Sequence, residues 1–345
     1  MEHKNISVGL LRSGGKPGNK SIAMSWVGKN IGVDVYFFSI DDVDVKNKKI
    51  SALKLDGKKW INEIIDYPLV IDNDLGSMRN KEAYADLSEN CYLLTQVLGG
   101  KLKTLNLLRD NNLFTEFLIP QCVIRKKNDF LNFLENHHRS VLKPVRGSQG
   151  AGIYFITVEN DSVSINFEGT IRKIGKNELG VFYDEIIKGK NFIIQKYIQS
   201  TTVHGAPFDI RIHVQRDGNN EWDNTKTYVR VGTGEEMTAN LATGGGVANI
   251  RPFIRRKYKD KANEVFEKLN KITKELPVAF QSFYKKDIDS LGIDLGADDD
   301  GNLWIFEINS FPGSKFFEFE RAMVRMEYLK YLHERESKNN SIEKV

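Results

Sequence analysis

Between Leu291 and Asn309 the chain reads Leu-Gly-Ile-Asp-Leu, then three aspartates and a glycine at Asp298 to Gly301, then Asn-Leu-Trp-Ile-Phe-Glu-Ile-Asn. Asp-Gly between two alternating apolar runs is the strongest short-range signal for a β-hairpin. A two-residue turn at Asp300-Gly301 sets Asp294 directly across from Glu307, and because side chains alternate along a strand, Asn309 shares their face. A slip of one residue would scatter these groups over both faces. Like charges at cross-strand distance repel unless a cation joins them. Two carboxylates and an amide oxygen are hard donors that suit Mg²⁺, which is usually held by one or two carboxylates together with substrate phosphates. The hairpin therefore predicts a magnesium–nucleotide site built from Asp294, Glu307 and Asn309. An EF-hand is disfavoured, since its first ligand position falls on Gly296 and strands flank the loop.

A second motif, Lys143-Pro-Val-Arg-Gly147-Ser148-Gln149-Gly150-Ala-Gly152, lies between the strand-like Val141-Leu142 and Ile153 to Val158. Its glycines let backbone N–H groups approach an anion, and Lys143 can neutralise the same charge from the adjoining strand. The run lacks the Gly-Lys-Ser/Thr ending of a P-loop, and a strand follows where a P-loop or dinucleotide fold needs a helix N-terminus. A protein-kinase loop fails as well, because no His-Arg-Asp or Asp-Phe-Gly follows. The competing reading is a glycine-rich hairpin without a ligand.

Arg211 and Arg230 each sit inside an apolar strand, where an unpaired guanidinium is costly, so each should face an anion or a carboxylate. A structural ion pair competes with a ligand contact at both positions. Asn240, followed by Gly244-Gly245-Gly246, reads as a backbone-rich loop able to close over phosphate or a charged intermediate. Of the six histidines, His137-His138 lie on a polar helical run and His213 lies in a strand, where solvated or core roles are expected.

The organisation is coarse but legible. Strand-like and helix-like runs alternate over the first hundred residues, which predicts a small α/β unit. From Ser140 onward short strands dominate, interrupted by helical stretches at Asp129 to His138, Lys261 to Lys286 and Phe316 to His333, and this segregation predicts an α+β body. Expected boundaries are 1–95 for the front domain, 96–190 for a lobe with the glycine-rich segment, 191–335 for a lobe with the metal hairpin, and 336–345 for a frayed polar tail. With 50 Lys+Arg interspersed among 46 Asp+Glu, no basic arm points to nucleic acid. At 40% hydrophobic residues no apolar run is long enough to span a bilayer, so no membrane partner is expected. The first residues lack the features of a signal peptide, and Cys91 and Cys122 form no metal or disulfide pattern, so a cytoplasmic location is expected.

Taken in order, these motifs resemble the ATP-grasp superfamily, most closely its YheC/YheD group. The resemblance rests on Lys143-Pro-x-x-Gly147-Ser-x-Gly-x-Gly, Phe192 to Ile198, Asp209-Ile-Arg211, Asn240 with its glycines, and Gly292-Ile-Asp294 through Glu307-Ile-Asn309-Ser-x-Pro312-Gly313. It covers about residues 95 to 320. It implies an α+β ATP-grasp fold, two α+β lobes clamping ATP, preceded by an α/β domain. It also implies roles. Lys101 and Lys143 resemble the two phosphate lysines, and Gly147 to Gly152 resembles the flap over the phosphates. Gln195, Lys196 and Ile198 occupy the strand that usually contacts adenine, with Gln195 standing where glutamate is common. Arg211, Arg230 and Asn240 match positions that steady the γ-phosphate and an acyl phosphate, and Asp294, Glu307 and Asn309 match the Mg²⁺ ligands. No residue of Ser200 to His204 stands out for ribose. The implied reaction is carboxylate–amine ligation through an acyl phosphate, on a peptide or amino-acid-like acid. Phosphate transfer to a small molecule, or a non-catalytic role with association to the endospore coat, are the alternatives.

Overall fold

The computed structural model describes residues 6–95, 97–145, 152–232 and 245–342. Three sheets organise them. The front sheet contains β1 (Ile6–Leu11), β2 (Val33–Phe38), β3 (Val43–Asp44), β4 (Lys49–Asp56), β5 (Lys59–Asp66), β6 (Val70–Asn73) and β7 (Tyr92–Leu93). Its parallel core places β1 between β2 and β6, with β7 beyond β6. The chain leaves β1 through α1 (Asn19–Asn30) to reach β2 on one side and later returns to the other, so the carboxyl ends of β1 and β6 flank a topological switch point. α2 (Lys81–Asn90) packs between β6 and β7 in sequence, with Ala83 and Leu87 buried. Gly28 of α1 permits close helix–sheet packing, since a Cβ there would lie 2.6 Å from Val35 Cγ2.

The middle sheet runs β12-β11-β10-β9-β13-β8, from β8 (Gln121–Ile124), β9 (Arg139–Pro144), β10 (Tyr154–Val158), β11 (Ser162–Phe167), β12 (Thr170–Gly175) and β13 (Phe192–Lys196). α4 (Lys127–Asn136) and the short α5 (Leu179–Phe182) cover it through Phe130, Leu134, Leu179 and Phe182. The third sheet runs β16-β15-β14-β17-β18, from β14 (Phe208–Arg216), β15 (Trp222–Val231), β16 (Gly246–Asn249), β17 (Ser290–Ala297) and β18 (Leu303–Asn309). Its apolar face, with Ile210, Ile212, Val214, Ile293 and Ile308, packs on α6 (Ile250–Tyr258) and α7 (Ala262–Gln281), through Ile254, Leu269, Ile272 and Phe280.

Three features depart from the sequence boundaries. β13 lies just past residue 190 yet pairs with β8 and β9, so it belongs to the middle sheet. α3 (Lys101–Asp110) packs on β18, and Leu105, Leu108 and Leu118 join the third core, because their apolar stripe finds Ile305 rather than the middle sheet. The expected tail is helical instead: α8 (Glu318–Ile342) continues past Glu336.

This last helix ties two sheets together. Ala322, Met326, Leu329 and Leu332 complete the core of β1, α1 and β2, while Gln215 of β14 donates through Nε2 to the Arg321 carbonyl at 3.0 Å. At the junction Arg325, wholly buried, bonds Asp72 of the front sheet through Nη2 at 3.0 Å and Asp289, just before β17, through Nη1. Burial alone would raise the Asp72 pKa, but Arg325 and Arg12 draw it well below the ordinary range. Removing one partner of a buried pair leaves the other charged and unpaired, a cost of about 3–5 kcal/mol. Arg325→Met should lose about that much stability in urea unfolding, and a loss under 1 kcal/mol would refute the role. For Asp72 the linkage sign is that of a depressed carboxyl, so its stabilisation is full above about pH 4 and declines as pH falls further.

Candidate functional site

The opposite face of the third sheet is polar although much of it is buried. Asp209, Arg211, His213 and Gln215 alternate with the apolar residues of β14 and all four are buried. Register sets Arg230 opposite Asp209, places Tyr228 and Asp294 on either side of Arg211, and puts Gly292 beside His213. β18 adds Glu307 opposite Asp294 and Asn309 opposite Gly292. Four adjacent strands thus bring the predicted arginines and the predicted metal ligands onto one face.

Both arginines face carboxylates. Arg211 bonds Asp294 through Nε and, at 2.7 Å, through Nη2. Arg230 grips Asp209 with two bonds of 2.6 and 2.7 Å and extends Nη2 to Asp294 Oδ2 at 3.1 Å. The result is a quartet of two guanidiniums and two carboxylates, neutral as a whole. Burial would raise the Asp294 pKa, yet Arg211 and Arg230 hold it below the usual carboxylate value. Asp209 goes the other way, raised to about 6 by burial, with Arg230 opposing the shift and Asp294 adding to it. Asp209 is a residue that sequence reasoning did not assign, although the two-residue period of Asp209-Ile-Arg211 places it on the arginine face.

The hairpin pairs Asp294 with Glu307 as expected, but by another route. The strands end at Ala297 and Leu303, and the intervening five residues form a loop organised by Asp298, whose carboxylate accepts the N–H groups of Asp300 and Asn302 and the Trp304 indole N–H. Near this loop Leu295 pairs with Ile305, and a bulge at Phe306 shifts the register by one. Without the bulge Asp294 would face Phe306. Gly296 makes room for it, since a Cβ there would lie 2.2 Å from the Phe306 ring.

The donors fit a hard cation. Among the described residues no third His, Cys, Asp or Glu joins Asp294 and Glu307, and the third oxygen is the amide of Asn309. Asn309 Oδ1 is buried without a hydrogen-bond partner, an acceptor that costs free energy until a donor or cation meets it. Gly292 holds open the space beside this amide.

Of the expected nucleotide groups, Lys143, Gln195 and Lys196 belong to the middle sheet. Lys143 stands on β9 opposite Ile193 of β13. The Gln195 side chain is buried and donates to Gln121 Oε1 at 2.6 Å, so this amide is engaged within the sheet. Lys196 Nζ lies 5.5 Å from the centre of the Trp304 ring, a cation–π contact from the middle sheet to the third. Ile198 is buried, and Ser200 is committed to structure, bonding the Phe208 carbonyl and the Ala297 N–H. Gly152 adopts a φ of +74° against Pro144 where the glycine segment rejoins the sheet. Gly147, Ser148, Gln149, Gly150 and Asn240 lie outside the described residues, as does the Lys101 side chain, while the Lys101 backbone opens α3. His213 is a core residue, edge-on to Phe317 at 5.2 Å, and burial holds its pKa well below the ordinary value.

Residues 90–333 match the YheC/D like ATP-grasp family. The chain belongs to that family. YheD of Bacillus subtilis (strain 168), an endospore coat-associated protein, is 27% identical over 208 residues, which are 58% of this chain and 45% of YheD. YheC of the same organism, also endospore coat-associated, is 22% identical over 227 residues, 63% of this chain and 61% of YheC. Both matches therefore span less than two thirds of the relative. The ATP-grasp ligase PsnB, solved with a phosphomimetic variant of its minimal precursor, Mg and ADP, superposes with a TM-score of 0.53 at 14% identity, covering 96% of this chain and 99% of PsnB. The fold is that of an ATP-grasp protein.

The crowding at Gly292 generates a test of the hairpin. An added Cβ would lie 2.7 Å from Pro312 Cβ and 3.0 Å from Asn309 Oδ1, so Gly292→Ala must displace one of them. Overpacking of this kind costs about 1–3 kcal/mol. Chemical denaturation should register that loss, and a variant as stable as wild type would show that the contact is not made.

Proposed function

We propose that the protein is an ATP-dependent carboxylate–amine ligase that forms an acyl phosphate and ADP from a peptide or amino-acid-like acid. The observation that carries this reading is the polar face of the third sheet, where Arg211 and Arg230 are fixed by Asp209 and Asp294 beside the oxygen donors Glu307 and Asn309. Such a face suits crowded anions. The fold likeness to PsnB, solved with ADP, Mg and a precursor, supports the choice of nucleotide and of a peptide-like acid.

In this reading Lys101, Lys143 and the segment Gly147 to Gly152 neutralise the ATP phosphates, while Gln195, Lys196 and Ile198 border the adenine. Asp294, Glu307 and Asn309 would hold Mg²⁺, which supplies neutralisation of phosphate charge. Arg211 and Arg230 stand ready for the transferred phosphoryl group, because their carboxylate partners hold the guanidiniums oriented before substrate arrives. The substrate carboxylate attacks the γ-phosphorus, the bond to ADP breaks, and an acyl phosphate results. An amine then adds to the activated carbonyl, phosphate leaves, and the amine proton passes to the departing phosphate or to water. Asn240 and its glycines border the intermediate. Catalysis of this kind is positioning and charge neutralisation, and it asks for no nucleophile–base pair in the chain.

No helix among the described residues is long and apolar enough to cross a membrane. We place the reaction in the cytoplasm, with the coat association of YheD and YheC as the other address for this protein.

Two measurements test the reading. Incubated with Mg-ATP, a mixture of acids and hydroxylamine, the protein should release ADP and form a hydroxamate, since hydroxylamine intercepts an acyl phosphate. AMP and pyrophosphate as products would overturn the mechanism, and a stable phosphorylated metabolite without hydroxamate would replace it with phosphotransfer. Glu307→Gln should reduce ADP release at least a hundredfold while leaving the fold intact, because one carboxylate fewer weakens metal binding and relieves repulsion with Asp294. Wild-type turnover in that variant would remove Glu307 from the metal site.

A further inference from the structure

A second concentration of charge lies away from the quartet, at the switch point of the front sheet. Arg12 follows β1 and bonds Asp72 Oδ2 at 3.1 Å. Lys20 stands in the first turn of α1, with its ammonium 5.4 Å from the centre of the Phe311 ring, just beyond Asn309. α8 supplies Arg321 and Arg325. Among the described residues, the buried carboxylates that oppose these four cations are Asp72 and Asp289, and both are already bonded to Arg325. Glu318 stands on the rim.

Arg321 is the anomaly. Its side chain is 1% exposed, yet Nε and Nη2 have no hydrogen-bond partner. A guanidinium in that position is among the most costly groups a fold can bury. Burial and the neighbouring Arg325 and Arg12 lower its pKa to about 10, and burial with Arg321 and Arg12 lowers that of Lys20 to about 8. Like charges are thus held together at low dielectric without enough counter-charge. Alongside them a cavity of about 320 Å³ opens, lined by Arg12, Lys16, Lys20, Asn19, the glycines at 14 and 18, and Glu318. Gly18 caps α1 without a side-chain bond, so the first N–H groups of this 12-residue helix are left to a ligand as well.

We propose that this pocket binds an anionic group, carboxylate or phosphate, on the acid substrate, at a distance from the carboxylate that reacts. The inference rests on the ligase reading for the identity of the molecule, and on the buried surplus of positive charge for the site. The bound group would pair with Lys20, Lys16 and Arg12 on the cavity wall, with the buried charge of Arg321 adding to the positive field behind Lys20, and the Phe311 contact of Lys20 places the pocket next to the end of the metal hairpin. The substrate is then a dianion: a dicarboxylic or phosphorylated acid, or a peptide with an acidic side chain near the reacting carboxylate.

The experiment uses the full chain and calorimetric titration with inorganic phosphate and with glutarate, both with saturating Mg-AMPPNP present to fill the nucleotide site. The wild type should bind at least one of the two anions, and Lys20→Gln should weaken that binding at least tenfold. Tighter binding of phosphate identifies a phosphorylated substrate, and tighter binding of glutarate a carboxylic one. Arg321→Met should act in the same direction, and if that variant fails to fold, Lys20→Gln on the cavity wall still decides. Lys143→Ala, titrated without nucleotide, should still bind the anion with the affinity that wild type shows when its nucleotide site is filled. Binding unchanged in Lys20→Gln, binding lost in Lys143→Ala, or no binding to wild type overturns the proposal. None of these readouts needs turnover, so failure of the ligase reading would leave the anion affinity intact, and failure of the pocket would leave ADP formation intact.

Discussion

One buried guanidinium fixes the front domain to the third sheet. Arg325 reaches a carboxylate in each, Asp72 and Asp289, and all three groups are shut off from water. Pairs of this sort seldom add net stability over an apolar core, but they tolerate few alternative arrangements. Around this contact α8 closes the front core with Met326 and Leu329 while its first turns cover the polar side of β14. The register of α8 therefore determines which side chains meet the switch point and which meet β14 and β15.

The third sheet separates two kinds of energetics by parity. Ile210, Ile212 and Val214 of β14 bury aliphatic surface against α6 and α7, while Asp209 and Arg211 on the other face join Arg230 and Asp294 in a network of charges whose cost is met within the network. Asp209 and Asp294 do for the arginines what solvent would otherwise do, with the difference that their positions are fixed. Under the proposed function, a phosphate arriving here would exchange one set of anionic partners for another, with little reorganisation. Asn309, with its unbonded oxygen beside the Asp294 and Glu307 pair, keeps polar capacity that the quartet does not use.

Much of this was legible in the sequence. The alternation across the β17–β18 hairpin placed Asp294, Glu307 and Asn309 on one face, and the cost of an unpaired guanidinium in an apolar strand pointed Arg211 and Arg230 to an anion or a carboxylate. The pairing of Asp294 with Glu307 came out correctly although the turn did not: two compensating features, a longer loop and the bulge at Phe306, cancelled. Neither has a strong local signature, since Asp298 could act on the backbone in either turn and the Gly296–Phe306 contact is made only across the strands. The hairpin of β4 and β5 has a weak local signature, as charged residues blur its alternation on an exposed face. Domain boundaries failed where a segment's partner was distant in sequence, as for α3 on β18. The Arg321 and Arg325 pair was visible only as two arginines four apart on a helix, and nothing local says that such a face is buried.

The shared core of α8 has a mechanical corollary. Front sheet and third sheet behave as a single anvil, since parting them would expose Met326, Tyr328 and Leu329 and strip Arg325 of a carboxylate. The middle sheet has its own separate core and meets the anvil through the chain at Leu118, the chain after Lys196, and the Lys196 contact with Trp304. In the proposed ligase, a jaw opening to exchange nucleotide would be the middle sheet. The proposed anion pocket, lined by the chain after β1, α1 and Glu318, lies wholly in the other half and would keep its shape as that jaw moved.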